Sequence, residues 1–432
     1  MFKRVQSQAV IAALVVVMLA ACSMAPSEPN ATSLAISQGA DAGSALSDRA
    51  SARLQALHDD LIAFRRDLHR HPELSGVEVR TAAKIAERLE RLGFRVRRNV
   101  GGHGVTATLQ GARPGPIVAF RADMDAVASD APDPVEFASE SPGVRHICGH
   151  DIHVTIGVAL AEAFAAIKPD LPGTIVLVFQ PAEEDITGAR LMIEAGALEN
   201  PRPSAIFAYH TAPYEVGQIA YSESTLMAAR DQLTATISEG PRARAIANTL
   251  RERVIALGNI SSLTEPQPVG GDFIWAGGPP LARNADGAWL LNANFSLATE
   301  AARRQLRGGI DQAVADAAQS ALGNRIEAGY RARWAPGVTN DGELVRRALA
   351  SIRAALGDGA LIQVRNVLPA FSEDFGHMQA DIPGAMFFLG VSNQSRGWQG
   401  FPHSPNYVAD EEAISVGARA MTRIMLDYLI QA

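Results

Sequence analysis

The sequence predicts an α/β protein with a central, mostly parallel sheet, interrupted by a smaller α+β domain. Three observations predict it. Short, strongly apolar runs at 117–120, 175–179, 205–209 and 385–389 have the length and composition of buried strands. Helical patterns at 151–167 and 189–195 stand between them, and strands that alternate with helices build parallel sheets. Between about 222 and 336 the pattern changes to alternating strands, a Pro- and Gly-rich loop and amphipathic helices. A chain of 432 residues has room for two or three domains.

The N-terminus reads as an address. Lys3 and Arg4 precede an apolar run, Ala9 to Ala21, of 13 residues. That is short of the roughly 20 residues a membrane-spanning helix needs. A basic start, a short apolar centre and small residues at its end make a secretory signal. The run ends Leu19-Ala20-Ala21-Cys22, which resembles the lipobox of bacterial lipoproteins. The resemblance implies cleavage before Cys22 and a lipid anchor on its thiol. Ser23, where Asp would retain such proteins at the inner membrane, implies the periplasmic face of the envelope and an outer-membrane lipoprotein. Residues 22–49 are rich in Ser, Ala, Gly and Pro and read as a flexible tether.

The mature chain follows in order. Leu54, Leu57, Leu61, Phe64 and Leu68 recur at steps of three and four, which predicts one helix ending before Pro72. Thr81, Ile85, Leu89 and Leu92 mark a second helix, stopped at Gly93. Strands are expected at 105–109 and 117–120, a helix at 151–167, a strand at 175–179, a helix at 189–195 and a strand at 205–209. The insert should hold strands at 233–237 and 289–297, helices at 245–257 and 300–322, and a loop at 264–280. After Asp341 the helix–strand alternation resumes, with a strand at 385–389 and a helix ending near Ile430. The expected domains are 1–21 signal, 22–49 tether, 50–222 with 337–432 catalytic, and 223–336 inserted. No internal repeat and no second apolar stretch of membrane-spanning length is evident.

Composition excludes several classes. A formal net charge of −7 argues against a nucleic-acid-binding surface. Two cysteines cannot build a disulfide scaffold. The only lysines are Lys3, Lys84 and Lys168, none placed for a Schiff base or a P-loop. Neither G-x-S-x-G nor G-x-G-x-x-G occurs.

The polar candidates cluster just past strand ends, where open α/β sheets bind ligands. The densest is His146-Ile147-Cys148-Gly149-His150-Asp151. In extended backbone, residues two apart share a side, so Cys148 and His150 can face one metal ion. A Cys/His/Glu set suits zinc and leaves room for manganese, cobalt or nickel. Read alone, the hexapeptide also fits a buried free cysteine beside incidental histidines. In Gln180-Pro181-Ala182-Glu183-Glu184, one carboxylate can ligate a metal while its neighbour stays free as a base for an activated water. The same pair also fits a solvated helix start. Asp125, in Arg121-Ala122-Asp123-Met124-Asp125, can orient a ligand or an imidazole, or simply end a strand beside Arg121. His210 and His403 say little alone.

Together these elements resemble a known family. Further stretches join them: Phe64 to His69 with Pro72-Glu73-Leu74-Ser75, Met192 to Leu198, Ser372-Glu373-Asp374-Phe375, Pro383-Gly384-Ala385 with Leu389-Gly390, and His403-Ser404-Pro405. Their order and spacing are similar to the amidohydrolases of metallopeptidase family twenty, subfamily D, which includes aminoacylases, hippurate hydrolases, carboxypeptidases and auxin-amide hydrolases. The resemblance implies a zinc-exopeptidase-like catalytic domain with an inserted lid, and two divalent metal ions, zinc foremost. It implies Cys148, His150, Glu184, His210 and His403 as ligands, with Cys148 able to bridge. Glu183 would be the general base and Asp125 an orienting carboxylate. His146, Asp151 and His153 match motif positions without an assigned role.

The insert departs from the family. Where a Gly-Gly-His-Ala motif usually supplies an oxyanion-stabilising His, this chain reads Ser238-Glu239-Gly240-Pro241-Arg242-Ala243-Arg244-Ala245. No His occurs between His210 and His377. Asn284 stands near the family's lid Asn, and Ser296 near its usual lid Arg. Losing an oxyanion donor costs about a hundred- to a thousandfold in rate, so Arg242, Arg244 or Arg283 is expected to substitute, or the activity to differ. The family's lid also mediates homodimers, an expectation that bears on the same altered segment.

The leading expectation is a lipid-anchored metal-dependent amidohydrolase acting on N-acyl amino acids or related small amides. The alternatives are a carboxypeptidase or dipeptidase of short peptides, and an inactive metal-bound periplasmic binding lipoprotein. With Cys22 lipidated and Cys148 held by metal, no disulfide between them is expected.

Overall fold

The computed structural model describes residues 39–321 and 323–431. The expected signal peptide, Cys22 and residues 22–38 of the tether lie outside the described residues. Along the chain run α1 (Gly39–Ala56), α2 (His58–Arg70), α3 (Val79–Arg91), β1 (Arg95–Arg97), β2 (Val105–Gln110), β3 (Arg113–Asp123), α4 (His150–Ile167), β4 (Pro172–Gln180), α5 (Gly188–Glu194), β5 (Ala205–Glu215) and β6 (Ile219–Tyr221). Then come β7 (Ala229–Ile237), α6 (Ala243–Ile255), β8 (Ile274–Gly277), β9 (Trp289–Leu297), α7 (Glu300–Gln319) and β10 (Ile326–Ala335). The last are α8 (Gly342–Leu356), β11 (Leu361–Gln363), β12 (Gly384–Ser392) and α9 (Glu412–Gln431).

Two expectations at the start of the chain are corrected. Residues 39–49, expected in the tether, are helical: Leu46, Ala50 and Leu54 recur every fourth position in α1 and are buried in the main core. Arg49 and Arg53 flank that stripe and pair with Asp170 and Glu162. The helix expected through Leu54 and Leu68 is two helices, because Leu57 leaves helical geometry at φ −104°, ψ 5°.

The chain divides into two compact units. One runs to Glu223 and includes Asn340–Gln363 and the chain from Met378; the other is Ser224–Thr339 with Val364–His377. The first holds an eight-stranded sheet in the order β1-β2-β4-β3-β5-β12-β6-β11. Its four central strands, β4, β3, β5 and β12, are parallel, and antiparallel pairings occur at β1–β2, β2–β4 and β12–β6. Parallel strands are covered on both faces, which is why they read as unbroken apolar runs.

Helix α4 packs inside this unit. Every residue but Ala165 and Ala166 is buried, so beyond its polar first turn the helix is apolar on nearly all sides. His150–Asp170 is long and apolar enough to cross a membrane, contrary to the sequence reading, but its burial within the core accounts for that composition.

The second unit has its own five-stranded antiparallel sheet, with β8, β9, β7 and β10 in order and Ala282–Arg283 pairing with β9. Helices α6 and α7 supply Leu250, Val254, Leu306 and Ile310 to a separate core with Phe295 and Leu297. Residues 364–377, expected in the catalytic domain, belong here. Val367 pairs with Gln267, and the Pro369 and Ala370 carbonyls accept from Ser296 and Arg230.

Candidate metal centre

Four parallel strands deliver their carboxyl ends to one edge of the first unit's sheet. Strand β3 ends at Asp123, two residues before Asp125; β4 ends at Gln180, three before Glu183. His210 was expected just past its strand, yet β5 continues to Glu215 and His210 sits within it, opposite Phe388 of β12. His403 lies in the loop between β12 and α9, and Cys148 and His150 flank Gly149 at the start of α4.

Gly149 makes that start work. Its φ is +87°, a left-handed conformation that glycine adopts without cost. The turn passes against Thr211 and Tyr407 so closely that no Cβ fits.

The five candidate ligands converge. Ligand atoms of Cys148, His150 and His210 lie within 4.8 Å of one another, and so do those of Cys148, Glu184 and His403. The two triads share Cys148. Its Sγ is 3.5 Å from His210 Nε2, and His403 Nε2 is 3.2 Å from Glu184 Oε1. Glu183 belongs with His150 and Glu184, 4.0 Å from His150 Nε2.

Two of the three imidazoles are turned by a bond to the far nitrogen. His150 Nδ1 donates to the Asp125 carbonyl at 2.9 Å and faces Asp125 Oδ1 at 3.2 Å, so Nε2 points at the acidic groups. His210 Nδ1 donates to the Thr211 carbonyl at 2.7 Å, which likewise turns Nε2 toward Cys148. Asp125 Oδ2 accepts from Ser75 Oγ at 2.7 Å and from the Glu184 N–H at 2.9 Å. One carboxylate thus positions both an imidazole and the Glu183–Glu184 loop.

Two of the loops that carry candidate site residues hold a strained position. Ala182 has φ +50° and His403 φ +62°, conformations that persist only where surroundings impose them. The Ala182 N–H donates to the buried Glu78 carboxylate at 2.8 Å, and the His403 N–H donates to the Ile147 carbonyl at 2.8 Å.

The electrostatics fit a dication. Burial, then Glu184, Glu183 and Asp123, push the Cys148 thiol well above its usual range. Burial opposes charge on His150, but Asp123 and Asp125 outweigh it and lift its pKa to about 10. Burial likewise opposes charge on His403, and Glu184 overcomes it; His403 and His150 in turn hold Glu184 low against its own burial. Protons on imidazole here stand where a cation would neutralise the same acids. His150 Nε2 is buried without a hydrogen-bond partner, and a group of that kind is ordinarily satisfied. A sulfur, three imidazoles and a carboxylate are a donor set that zinc and its first-row neighbours accept.

The other motif residues do different things. Asp151 is buried in an ion pair with Arg65 at 2.7 Å and bonds His69 Nδ1 at 2.8 Å. His69 Nε2 reaches Asp133 at 3.1 Å. With a carboxylate on each nitrogen, His69 carries its charge: burial and Arg65 oppose it, but Asp133 and Asp151 raise its pKa. His146 is buried with neither ring nitrogen hydrogen-bonded, and burial lowers its pKa to about 4. Asp123 is held well below the usual carboxylate range, burial being outweighed by Arg121, His150 and His153.

In the second unit, the residues expected to match the family's lid are engaged locally. Asn284 Oδ1 accepts the Asp286 and Ala288 N–H groups, so it shapes its own turn. Arg283 bonds Glu239 at 2.7 Å and, with Arg244, flanks the Trp289 ring at 5.5 and 5.6 Å. Arg242 is the exposed residue before α6. Ser296 Oγ donates to the Pro369 carbonyl at 2.7 Å.

Glu78, Thr211 and Tyr407 were not singled out from sequence. Glu78 is flanked by Val77 and Val79, but its partner Ala182 lies 104 residues away, so no local pattern shows its task.

Comparison with known proteins identifies the family. The sequence profile of Peptidase family M20/M25/M40 matches residues 119–427. N-acetylcysteine deacetylase of Bacillus subtilis is 32% identical over 403 residues, covering 87% of this chain and 98% of that protein. IAA-amino acid hydrolase ILR1-like 4 of Arabidopsis thaliana is 31% identical over 395 residues, covering 88% of each. Among solved structures, Bacillus subtilis YXEP protein, described as a dinuclear metal binding peptidase, superposes with a TM-score of 0.72 at 28% identity, covering 87% of this chain and 99% of that one. The chain belongs to peptidase family M20/M25/M40 and is a metal-dependent hydrolase of amide or peptide bonds.

Proposed function

We propose that the chain hydrolyses the amide bond of N-acyl amino acids or related small amides at a centre of two divalent ions. The observation that carries this reading is the pair of ligand triads joined at Cys148, with Glu183 beside them. Cys148, His150 and His210 would hold one ion; Cys148, Glu184 and His403 would hold the other, with zinc the best match to the donors. When bound, the ions supply Lewis acidity, which polarises the scissile carbonyl and acidifies the attacking water.

The chain's own residues do the rest. Glu183 takes the proton from the attacking water and delivers it to the leaving nitrogen. Asp125 holds His150 and the Glu184 N–H, so the base and the ligands stay in register. The relatives named N-acetylcysteine deacetylase and IAA-amino acid hydrolase carry an acylated amino acid in their names, which supports N-acyl amino acids as substrates. On residues outside those described, the signal-like start and Leu19-Ala20-Ala21-Cys22 support an exported lipoprotein anchored at Cys22.

The test combines metal analysis with hydrolysis of a panel of N-acyl amino acids and dipeptides. Wild type should bind about two divalent ions and turn over the N-acyl substrates. Glu183→Gln should keep the metal and lose about 10²- to 10⁴-fold in kcat. A wild type that holds no divalent ion, or a Glu183→Gln variant of full activity, refutes the reading.

A further inference from the structure

His150 and His153 are three residues apart in the first turn of α4, and both are wholly buried. Asp123, His150 and His153 also bring ligand atoms within 4.8 Å of one another. Composition would make His153 one more metal ligand. Its hydrogen bonds give it another task.

Asp123 Oδ1 is 2.5 Å from His153 Nδ1. A carboxylate only accepts, so Nδ1 carries the hydrogen and Nε2 keeps its lone pair. That lone pair accepts the buried Thr211 N–H at 2.9 Å. Both ring nitrogens are in use, and an ion on Nε2 would orphan the Thr211 N–H. Asp123 is equally committed, since its Oδ2 accepts from Arg121 Nη1 at 2.7 Å.

Thr211 is where this bond matters. Its carbonyl accepts from His210 Nδ1 at 2.7 Å, and its hydroxyl donates to the Cys148 carbonyl at 2.5 Å. One residue therefore sets two candidate ligands against each other. On the far side, Arg121 Nε donates to Gln180 Oε1 at 2.8 Å, at the end of β4 just before the Glu183–Glu184 loop. The side chains of Gln180, Arg121, Asp123 and His153 thus run from the base of that loop to the Thr211 peptide.

We infer that His153 is a positioning residue: it holds Thr211 by its N–H, the carbonyl of that same residue orients the His210 ring, and His153 is not itself a metal ligand. This rests on the two-ion reading above. Partners of this kind, which orient the true ligands, change metal affinity by about 10- to 100-fold when removed.

The experiment titrates apo wild type, His153→Ala and His153→Gln with zinc against a competing chelator, with the circular dichroism and melting temperature of each apo form as controls. Wild type should show two binding events. In His153→Ala one event should weaken about 10- to 100-fold, with the other and the apo melting temperature nearly unchanged. Gln offers an oxygen to the Thr211 N–H and an amide hydrogen to Asp123, and should recover most of the loss.

Two unaltered events in His153→Ala overturn the inference. So does a parallel loss of both events with the apo melting temperature, which marks a merely structural role. Histidine ¹⁵N spectra of wild type need no foldable Ala variant: zinc should shift the rings of His150, His210 and His403 and leave His153 as the Nδ1–H form, whereas a metal shift on His153 overturns the inference. A wild type that binds no zinc fails the two-ion reading itself, a result visible before any variant is compared.

Discussion

Replacing Gly149 by alanine tests how the centre is built. The position has φ +87°, and a Cβ there would lie 2.5 Å from Tyr407 Oη, 2.6 Å from Thr211 Oγ1 and 2.7 Å from Thr211 Cγ2. A left-handed backbone costs a non-glycine residue about 1–2 kcal/mol. Overpacking a filled site costs about 1–3 kcal/mol more. Neither neighbour yields freely: the Thr211 hydroxyl is bonded to the Cys148 carbonyl, and Tyr407 is 2% exposed. The expected destabilisation is therefore about 2–5 kcal/mol, read as a lowered urea midpoint of the apo protein. Because the strain falls between Cys148 and His150, zinc affinity should drop as well. Adding Tyr407→Phe removes the nearest contact and should return part of both losses. A Gly149→Ala protein within about 0.5 kcal/mol of wild type, with unchanged zinc affinity, would refute the close-approach account.

Two other expectations follow from the same shell. Glu78→Ala should cost about 1–3 kcal/mol by orphaning the Ala182 N–H, whereas Glu78→Gln, which keeps an acceptor, should cost little; equal losses in urea unfolding would show that the bond to the loop is immaterial. Asp133 is held down to about 2 from 3.8: burial works the other way, but His69, the Ser139 N–H and Arg145 prevail. A lowered carboxyl stabilises the fold above its unfolded pKa and loses that contribution as pH falls through the folded one, so the window is about pH 4 to 2. The difference corresponds to about 2 kcal/mol; wild type should therefore lose stability more steeply than Asp133→Asn across that window, and parallel pH profiles would contradict the assignment.

Much of the centre was legible because its chemistry is concentrated in short segments. Cys148-Gly149-His150 and Glu183-Glu184 carry their meaning within a few residues, and the apolar runs before Asp123 and Gln180 mark strand ends by composition. The run through 209 understated β5, since His210 and Thr211 interrupt the apolar pattern without ending the pairing to β12. The helix at 39–56 was hidden by small residues that resemble a linker; only Leu46, Ala50 and Leu54 betray a buried stripe. Residues 364–377 have too little pattern of their own to show which unit they join, and pairing at Val367 with Gln267 decides it.

The sequence by itself determined the chemical vocabulary of the candidate site: which side chains bear sulfur, imidazole and carboxylate, and in what order. Tertiary structure alone decided the division of labour among them. His150 and His153 are the same residue type one helical turn apart, yet one presents a bare nitrogen to acids and the other has both nitrogens bonded. Glu78 and Asp125 act through the Ala182 and Glu184 N–H groups, 104 and 59 residues away. The physical reason is that a ligand's lone pair is aimed by what its other atoms bond, and those partners come from distant strands that only folding brings together.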